Sequence, residues 1–298
     1  MTVQEHFSRF IHDIALDNAR VQRIRAAAVR LAEFCNSDAG IRQYTPHEFF
    51  QGSYANDTAV KPADPKREYD VDIVVLMSLP KSNAADVLDW FADRLRQDGD
   101  YRARLLPPKD KCVRLNYAGD FHVDVVPAHR VTTNNDRIQI PSRRSGWLYS
   151  HPKGFTAWCE SQKTRTQRDF NRCVKMMKRW RDITTDARTA VTSILFTTLL
   201  GPRVPTPTPT NPDAQVIVQT LTSLTQYLDS KPLKPVVANP SMTSEDLAAT
   251  WSQANYELFR RHISRATERA RQAYSAGSEA EAVRLWRTLF GDAFPFTV

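Results

Sequence analysis

At 298 residues, with 41% hydrophobic and 25% charged side chains, the chain has the make-up of an ordinary globular protein and is long enough for two domains. Its longest apolar runs, such as Ile73 to Met77, are far too short to cross a bilayer, and the opening MTVQEHFSRFIHDIALDN lacks a signal peptide's continuous apolar core, so the expectation is a cytoplasmic protein with no membrane partner. A net charge of +8 favours a polyanionic partner, but nucleoside triphosphates, nucleic acid and anionic surfaces all meet that condition.

Phe7, Phe10, Ile11, Ile14, Val21, Ile24, Leu31 and Phe34 recur at helical spacing with arginines between them, which predicts one long helix or two in succession. His47 to Phe50 reads as a short strand leading into Gly52-Ser53. The polar stretch from Asn56 to Arg67, broken by Pro62 and Pro65, reads as a loop or weak helix. Tyr69 to Met77 (YDVDIVVLM) is the strongest strand in the sequence, and Ala84, Val87, Leu88, Phe91 and Leu95 then mark an amphipathic helix. Lys111 to Tyr117 and Asp120 to Val126 are β-rich runs separated by Ala118-Gly119, the pattern of a tight hairpin. From about Trp147 the periodicity is helical, with segments near 152–162, 164–182, 187–200, 213–229, 243–275 and 278–290. Thr243-Ser244-Glu245-Asp246 has the spacing of a capping box, and the proline-rich 201–212 (GPRVPTPTPTNP) reads as a stiff connection inside the helical half. Cys35, Cys112, Cys159 and Cys173 lack redox or zinc spacing and are expected as buried thiols. The expected fold class is α+β, with a mixed α/β domain over 1–146 and a helical domain over 147–298.

Side chains two apart on a strand project from one face, so Asp70 and Asp72 point together while Val71 and Ile73 pack behind them. Two carboxylates at a strand end suit a hard divalent ion such as magnesium. Asp124, within Phe121-His122-Val123-Asp124-Val125-Val126, supplies a third from a strand able to lie beside the first. Three carboxylates around two ions meet the needs of in-line nucleotidyl transfer. A lone Asp-x-Asp says little, because surface strands carry it often. The apolar sequence directly after both acidic positions places them at the edge of burial, where unpaired charge is costly. Glu68 and Asp64 precede the strand and read as solvated. A small turn at Gly52-Ser53 exposes backbone N–H groups and a hydroxyl able to hold a phosphate tail. Gly-Ser alone is a common turn; the order Gly-Ser, strand Asp-x-Asp, later-strand Asp is the specific signal.

Gly52-Ser53-Tyr54 with Thr58, Asp70-Val71-Asp72 and His122-Val123-Asp124-Val125-Val126-Pro127 resemble the three sections of the nucleotidyltransferase signature in bacterial CD-NTases. These are the cyclic-oligonucleotide synthases of CBASS antiphage defence, related to cyclic GMP-AMP synthase and oligoadenylate synthetase. The likeness continues through His151-Pro152-Lys153-Gly154-Phe155 with Trp158, Lys178-Arg179-Trp180, Thr192-Ser193, Asn239-Pro240 and Leu289-Phe290-Gly291-Asp292. It implies a bilobed molecule: a polymerase-β-like palm, mixed sheet with a long N-terminal helix, plus an oligoadenylate-synthetase-like helical domain. Carried over by position, Asp70, Asp72 and Asp124 would hold two magnesium ions, with manganese as the alternative, and Asp124 would favour deprotonation of the attacking ribose hydroxyl. Gly52, Ser53, Lys178 and Ser193 would bind nucleotide. The chain departs from many members at Ala55-Asn56-Asp57-Thr58, where a basic residue is usual, which puts the triphosphate contacts in doubt but not the metal site. The implied activity is synthesis of a cyclic di- or trinucleotide from ATP, GTP or pyrimidine triphosphates, acting on a product-activated effector and open to regulatory protein partners. The zinc-binding insertion of the animal DNA sensor is absent, so activation by nucleic acid is not required by the likeness and stays open.

Two other readings stand beside this one. One is a polymerase-β-type transferase that extends RNA or modifies a small molecule; the other is an inactive palm that binds nucleic acid. Arg168, Arg172, Lys175 and Arg179 recur at helical intervals, either as a solvated face or as the wall of a phosphate groove. Arg260, Arg261, Arg265, Arg269 and Arg271 read as a solvated or protein-contacting face. His122 shares a strand face with Asp124 and reads either as a residue touching the site or, the favoured reading, as a structural histidine. His129 and His151 read as loop residues, and Trp147 and Tyr149 as either base-stacking or core aromatics.

Overall fold

The computed structural model describes residues 2–64, 66–80, 82–117, 121–131, 136–184, 186–208 and 212–297. The turn expected at Ala118-Gly119 and part of the proline-rich connection lie outside them. In chain order, helices α1 (Val3–Ile14), α2 (Asn18–Ser37) and α3 (Ala39–Arg42) precede strand β1 (His47–Gln51), the short helix α4 (Gly52–Ala55) and strand β2 (Tyr69–Met77). Helices α5 (Ala84–Gln97) and α6 (Gly99–Arg104) follow, then strands β3 (Val113–Tyr117), β4 (Phe121–Arg130), β5 (Ile138–Ser142) and β6 (Gly146–Ser150). The remainder is helical, α7 (Pro152–Arg165), α8 (Asp169–Ile183), α9 (Ala187–Ala190), α10 (Ser193–Leu200) and α11 (Asp213–Asp229), until the small pair β7 (Ala238–Asn239) and β8 (Met242–Asp246). Helices α12 (Gln253–Tyr274) and α13 (Glu279–Phe290) close the chain.

These elements form two units. One comprises Leu16–Asp57 and Asp64–Thr156; the other comprises Met1–Ala15, Thr58–Ala63 and Ala157–Val298. In the first unit β1 runs antiparallel to β2, β2 parallel to β4, and β4 is flanked antiparallel by β3 at its start and β5 at its end, with β6 at the edge. Strand alternation divides the sheet's faces. Val71, Ile73 and Val75 of β2, and Phe121, Val123 and Val125 of β4, are buried in a core shared with α2, α5 and α6. The parallel register fixes the site: Asp72 lies opposite Asp124, and Asp70 opposite His122.

The second unit buries α1 by its apolar face. Phe7 and Phe10 are fully buried, and their rings pack against Trp286, Phe290 and Phe294 at centroid distances of 4.9–6.1 Å. The opening amphipathic stretch is therefore two helices. Ala15 turns extended and bridges to Val60, and the Asp17 carboxylate accepts the Arg20 N–H to start α2.

Four local expectations need correction. Residues 243–275 are not one helix: 242–246 pair as β8 with β7, and the Asp246 carboxylate accepts from the Val237 and Ala248 N–H groups, so the Thr-Ser-Glu-Asp spacing serves a turn and Ser252 caps α12 instead. The stretch 187–200 breaks at Val191 into α9 and α10. Residues 138–150, where no strand was expected, form the β5–β6 hairpin, and His129 lies in β4 rather than in a loop.

Candidate active site

Three acidic side chains share the face of the first unit's sheet that is turned away from its helices. Asp70 and Asp72 alternate with buried Val71 and Ile73, and Asp124 reaches the same face because it is in parallel register with Asp72. A fourth residue, which sequence reasoning missed, completes the group: Arg114 of β3 lies directly opposite Asp124. Its Nε and Nη2 donate to the two Asp124 carboxylate oxygens at 2.6 Å each, and the same Nη2 forms an ion pair with Asp70 Oδ1 at 2.7 Å. The hydrogen bond to Asp124 holds the guanidinium proton more firmly than usual, and burial together with Asp124 pushes the neighbouring Cys112 thiol up. The signal was present in the hairpin: counting back from Phe121 opposite Tyr117 puts position 114 opposite 124, with arginine facing aspartate.

His122 continues this row of polar side chains. Its Nε2 pairs with Glu68 Oε2 at 2.6 Å, and its Nδ1 lies 3.8 Å from Asp70 Oδ1. Glu68, expected as solvated, is only 19% exposed and orients this histidine. Among the described residues no three His, Cys, Asp or Glu side chains close on one point able to hold a metal ion. The donor chemistry nevertheless fits a hard divalent cation. All three groups are carboxylates on one face, and two of them already hold a cation, the Arg114 guanidinium.

Gly52 sits where β1 ends and α4 begins, next to this face. Its φ is +68°, and a Cβ there would run into the Asp72 carboxylate. Gln51 is in register with Asp72, which brings Gly52 and Ser53 alongside it. We expect Gly52→Ala to cut turnover at least about tenfold by displacing Asp72, with an unfolding penalty of about 1–3 kcal/mol from the left-handed backbone. Steady-state rates and a thermal melt check both; an unchanged rate would detach Gly52 from Asp72's placement.

Lys178 and Ser193 belong to the helical unit. Lys178 of α8 is 4% exposed, and its Nζ donates to the Thr58 carbonyl and to Thr58 Oγ1, both at 3.0 Å. Ser193 opens α10, is exposed, and accepts a hydrogen bond from Arg181 Nη1 at 2.9 Å. Burial, reinforced by Arg181, lowers the Lys178 pKa to about 7. A folded value below the unfolded one means that stability from this group is full above about pH 10.5 and is lost as pH falls through 7. Lys178→Met should therefore flatten the rise in unfolding free energy between pH 7 and 10. Urea titrations of both proteins at each pH read this; equal slopes would remove Lys178 as the source.

In the basic stripe, Arg172 is bound to Asp213 and Arg179 donates to the Pro62 carbonyl, while Arg168 precedes α8 with φ +82°. Arg260 pairs with Asp229, and Arg261, Arg265, Arg269 and Arg271 lie exposed on α12. Trp147 Nε1 donates to the Ser82 carbonyl, Tyr149 is exposed, and all four cysteines are buried. Among the described residues no helix is long and apolar enough to cross a membrane.

Comparison with known proteins gives the family and the fold. The c-di-GMP synthase of Roseivirga ehrenbergii is 28% identical over 291 residues, covering 88% of this chain and 76% of that protein. The Escherichia coli MS115-1 CdnC in its complex with HORMA-deltaN superposes with a TM-score of 0.79 at 18% identity, over 98% of each chain. The Bradyrhizobium diazoefficiens CD-NTase CdnG in complex with GTP gives the same TM-score at 17% identity, over 98% of this chain and 96% of that one. The two structures show the shared fold, a polymerase-β-like palm with a helical domain. The model of the Second Messenger Oligonucleotide or Dinucleotide Synthetase domain matches residues 1–163, more than half of the chain, and the chain belongs to that family of nucleotidyltransferases.

Proposed function

We propose that the protein makes a cyclic di- or trinucleotide from nucleoside triphosphates as the signal of a CBASS antiphage system, with Asp70, Asp72 and Asp124 as catalytic and metal-holding residues. The observation that carries this is the register placing Asp72 beside Asp124, with Asp70 on the same face. Two magnesium ions, or manganese in their place, would lower the pKa of the attacking hydroxyl and offset charge on the leaving phosphate. Asp124, held at both oxygens by Arg114, keeps a fixed orientation from which it would accept the proton of the ribose hydroxyl. Gly52 lets the backbone pass close to Asp72, and Ser53 beside it offers an N–H and a hydroxyl to the donor triphosphate. In the helical unit, Lys178 and Ser193 are assigned to nucleotide phosphates, which requires them to exchange Thr58 and Arg181 for the substrate. On this reading residues 1–146 carry the chemistry and 147–298 complete nucleotide recognition, with α1 packed among the helices. GTP is the first substrate to try, because a c-di-GMP synthase is 28% identical over 291 residues, and a HORMA-type protein is the regulatory partner to test first.

Incubation with labelled triphosphates and magnesium or manganese, followed by phosphatase and mass analysis, tests the reading. A phosphatase-resistant cyclic product supports it. No such product in any base combination, with and without phage-exposed lysate, would overturn it, and template-free RNA extension would point to the RNA-acting alternative.

A further inference from the structure

Arg114 is more than a neighbour of the acidic face. Its side chain is 14% exposed and Asp124's is 13% exposed, whereas Asp70's is 54% exposed. The fork to Asp124 is a paired, two-bond contact between facing strand residues, largely out of water. The contact to Asp70 is a single ion pair with a half-exposed side chain, made by one nitrogen of the fork. The two contacts therefore differ in permanence. Exposed pairs exchange with water at little cost, whereas separating a buried pair leaves both charges stranded.

We infer that Arg114 is the built-in counter-ion of the carboxylate face, and that a divalent ion is held there only when Asp70 leaves Arg114 while the Arg114–Asp124 fork stays closed. The inference rests on the reading of Asp70, Asp72 and Asp124 as the metal-holding set. Each Asp124 oxygen keeps a second lone pair beside the guanidinium, so Asp124 can serve Arg114 and an ion together. Asp70 Oδ1 lies 2.7 Å from Nη2, so an ion taking that oxygen would sit against the guanidinium charge, and the single exposed Asp70 contact separates at less cost than the fork. Arg114 thus keeps the acidic side chains from repelling one another and weakens ion binding until an anionic substrate arrives to compensate the added charge. It acts as a positioning residue that sets when the ions load.

The test is binding of Mn²⁺ alone to the full chain, followed by electron paramagnetic resonance. Arg114→Gln removes the charge, and Arg114→Lys keeps it while losing the fork. A unit charge at this range through a partly wet surface corresponds to about ten- to hundredfold in affinity. Arg114→Gln is expected to bind Mn²⁺ more tightly than wild type by that factor, with Arg114→Lys close to wild type. Equal or weaker binding by a folded Arg114→Gln would overturn the proposal, by showing that Arg114 assembles the ligands without competing for them. A second readout needs no neutral variant: the Arg114 Nε–Hε resonance, assigned by its loss in Arg114→Lys, should shift saturably as Mg²⁺ is added to wild type. Saturable Mg²⁺ binding that leaves this resonance unmoved would likewise overturn it. Should neither wild type nor variant bind Mn²⁺ even with a triphosphate analogue present, the metal-site reading itself fails and takes this inference with it.

Discussion

Asp124→Asn is expected to lower turnover by about three orders of magnitude or more, with the sheet still folded. The amide loses the charge that a divalent ion needs and cannot accept the two charge-assisted bonds from Arg114; a loss of about 4 kcal/mol in transition-state stabilisation corresponds to that factor. The change also leaves Arg114 facing an amide near the edge of burial, at a cost of about 1–3 kcal/mol in stability. Asp70→Asn separates the two effects. Asp70 is half exposed, so its replacement should reduce turnover as severely while moving the melting temperature much less. Single-turnover rates with thermal melts of both variants check this pairing. Turnover within tenfold of wild type for folded Asp124→Asn would end the assignment of this face as the active site.

The second large effect concerns stability. Phe7→Ala should destabilise the helical unit by about 3–5 kcal/mol, because the ring is fully buried and the space left is walled by aromatic rings that cannot collapse into it. In a protein of this size that is about 5–8 °C in melting temperature. Calorimetry reads it. A shift below about 3 °C would mean that α1 contributes little to this core. Ile11, on the same helix but outside the buried set, is the control, and its replacement by Ala should shift the melting temperature far less.

The acidic face was legible in the sequence because two independent patterns met there. Tyr69–Met77 and Phe121–Val126 are apolar enough to be central strands, and charge interrupts each only on alternate residues, which fixes the face before any coordinates exist. Arg114 was equally legible in principle, through the hairpin count, but a single arginine in a short strand draws no attention without its partner. The home of α1 was not legible. An amphipathic stripe says that Phe7, Phe10 and Ile14 are buried and is silent on what buries them, and the answer lies nearly three hundred residues away at Phe290 and Phe294. The β5–β6 hairpin was missed because Gln139, Pro141, Ser142 and Gly146 dilute its alternation. The strand at 242–246 was missed because Thr-Ser-Glu-Asp spacing serves a tight turn as well as a helix start. Lys178 was read from likeness alone as a phosphate ligand; its burial against Thr58 depends on a tertiary contact between positions 120 apart, which local spacing does not encode.

The chain's path between its two units bears on how the protein can be dissected. Residues 1–15 and 58–63 belong with the helices although their neighbours on the chain belong with the sheet. A fragment ending at residue 163 would follow the matched domain yet strand Phe7, Phe10 and Ile14 without Trp286, Phe290 and Phe294, turning a covered apolar stripe towards water. Such a fragment is expected in inclusion bodies, and co-expression with residues 164–298 should restore its solubility by giving that stripe its cover again.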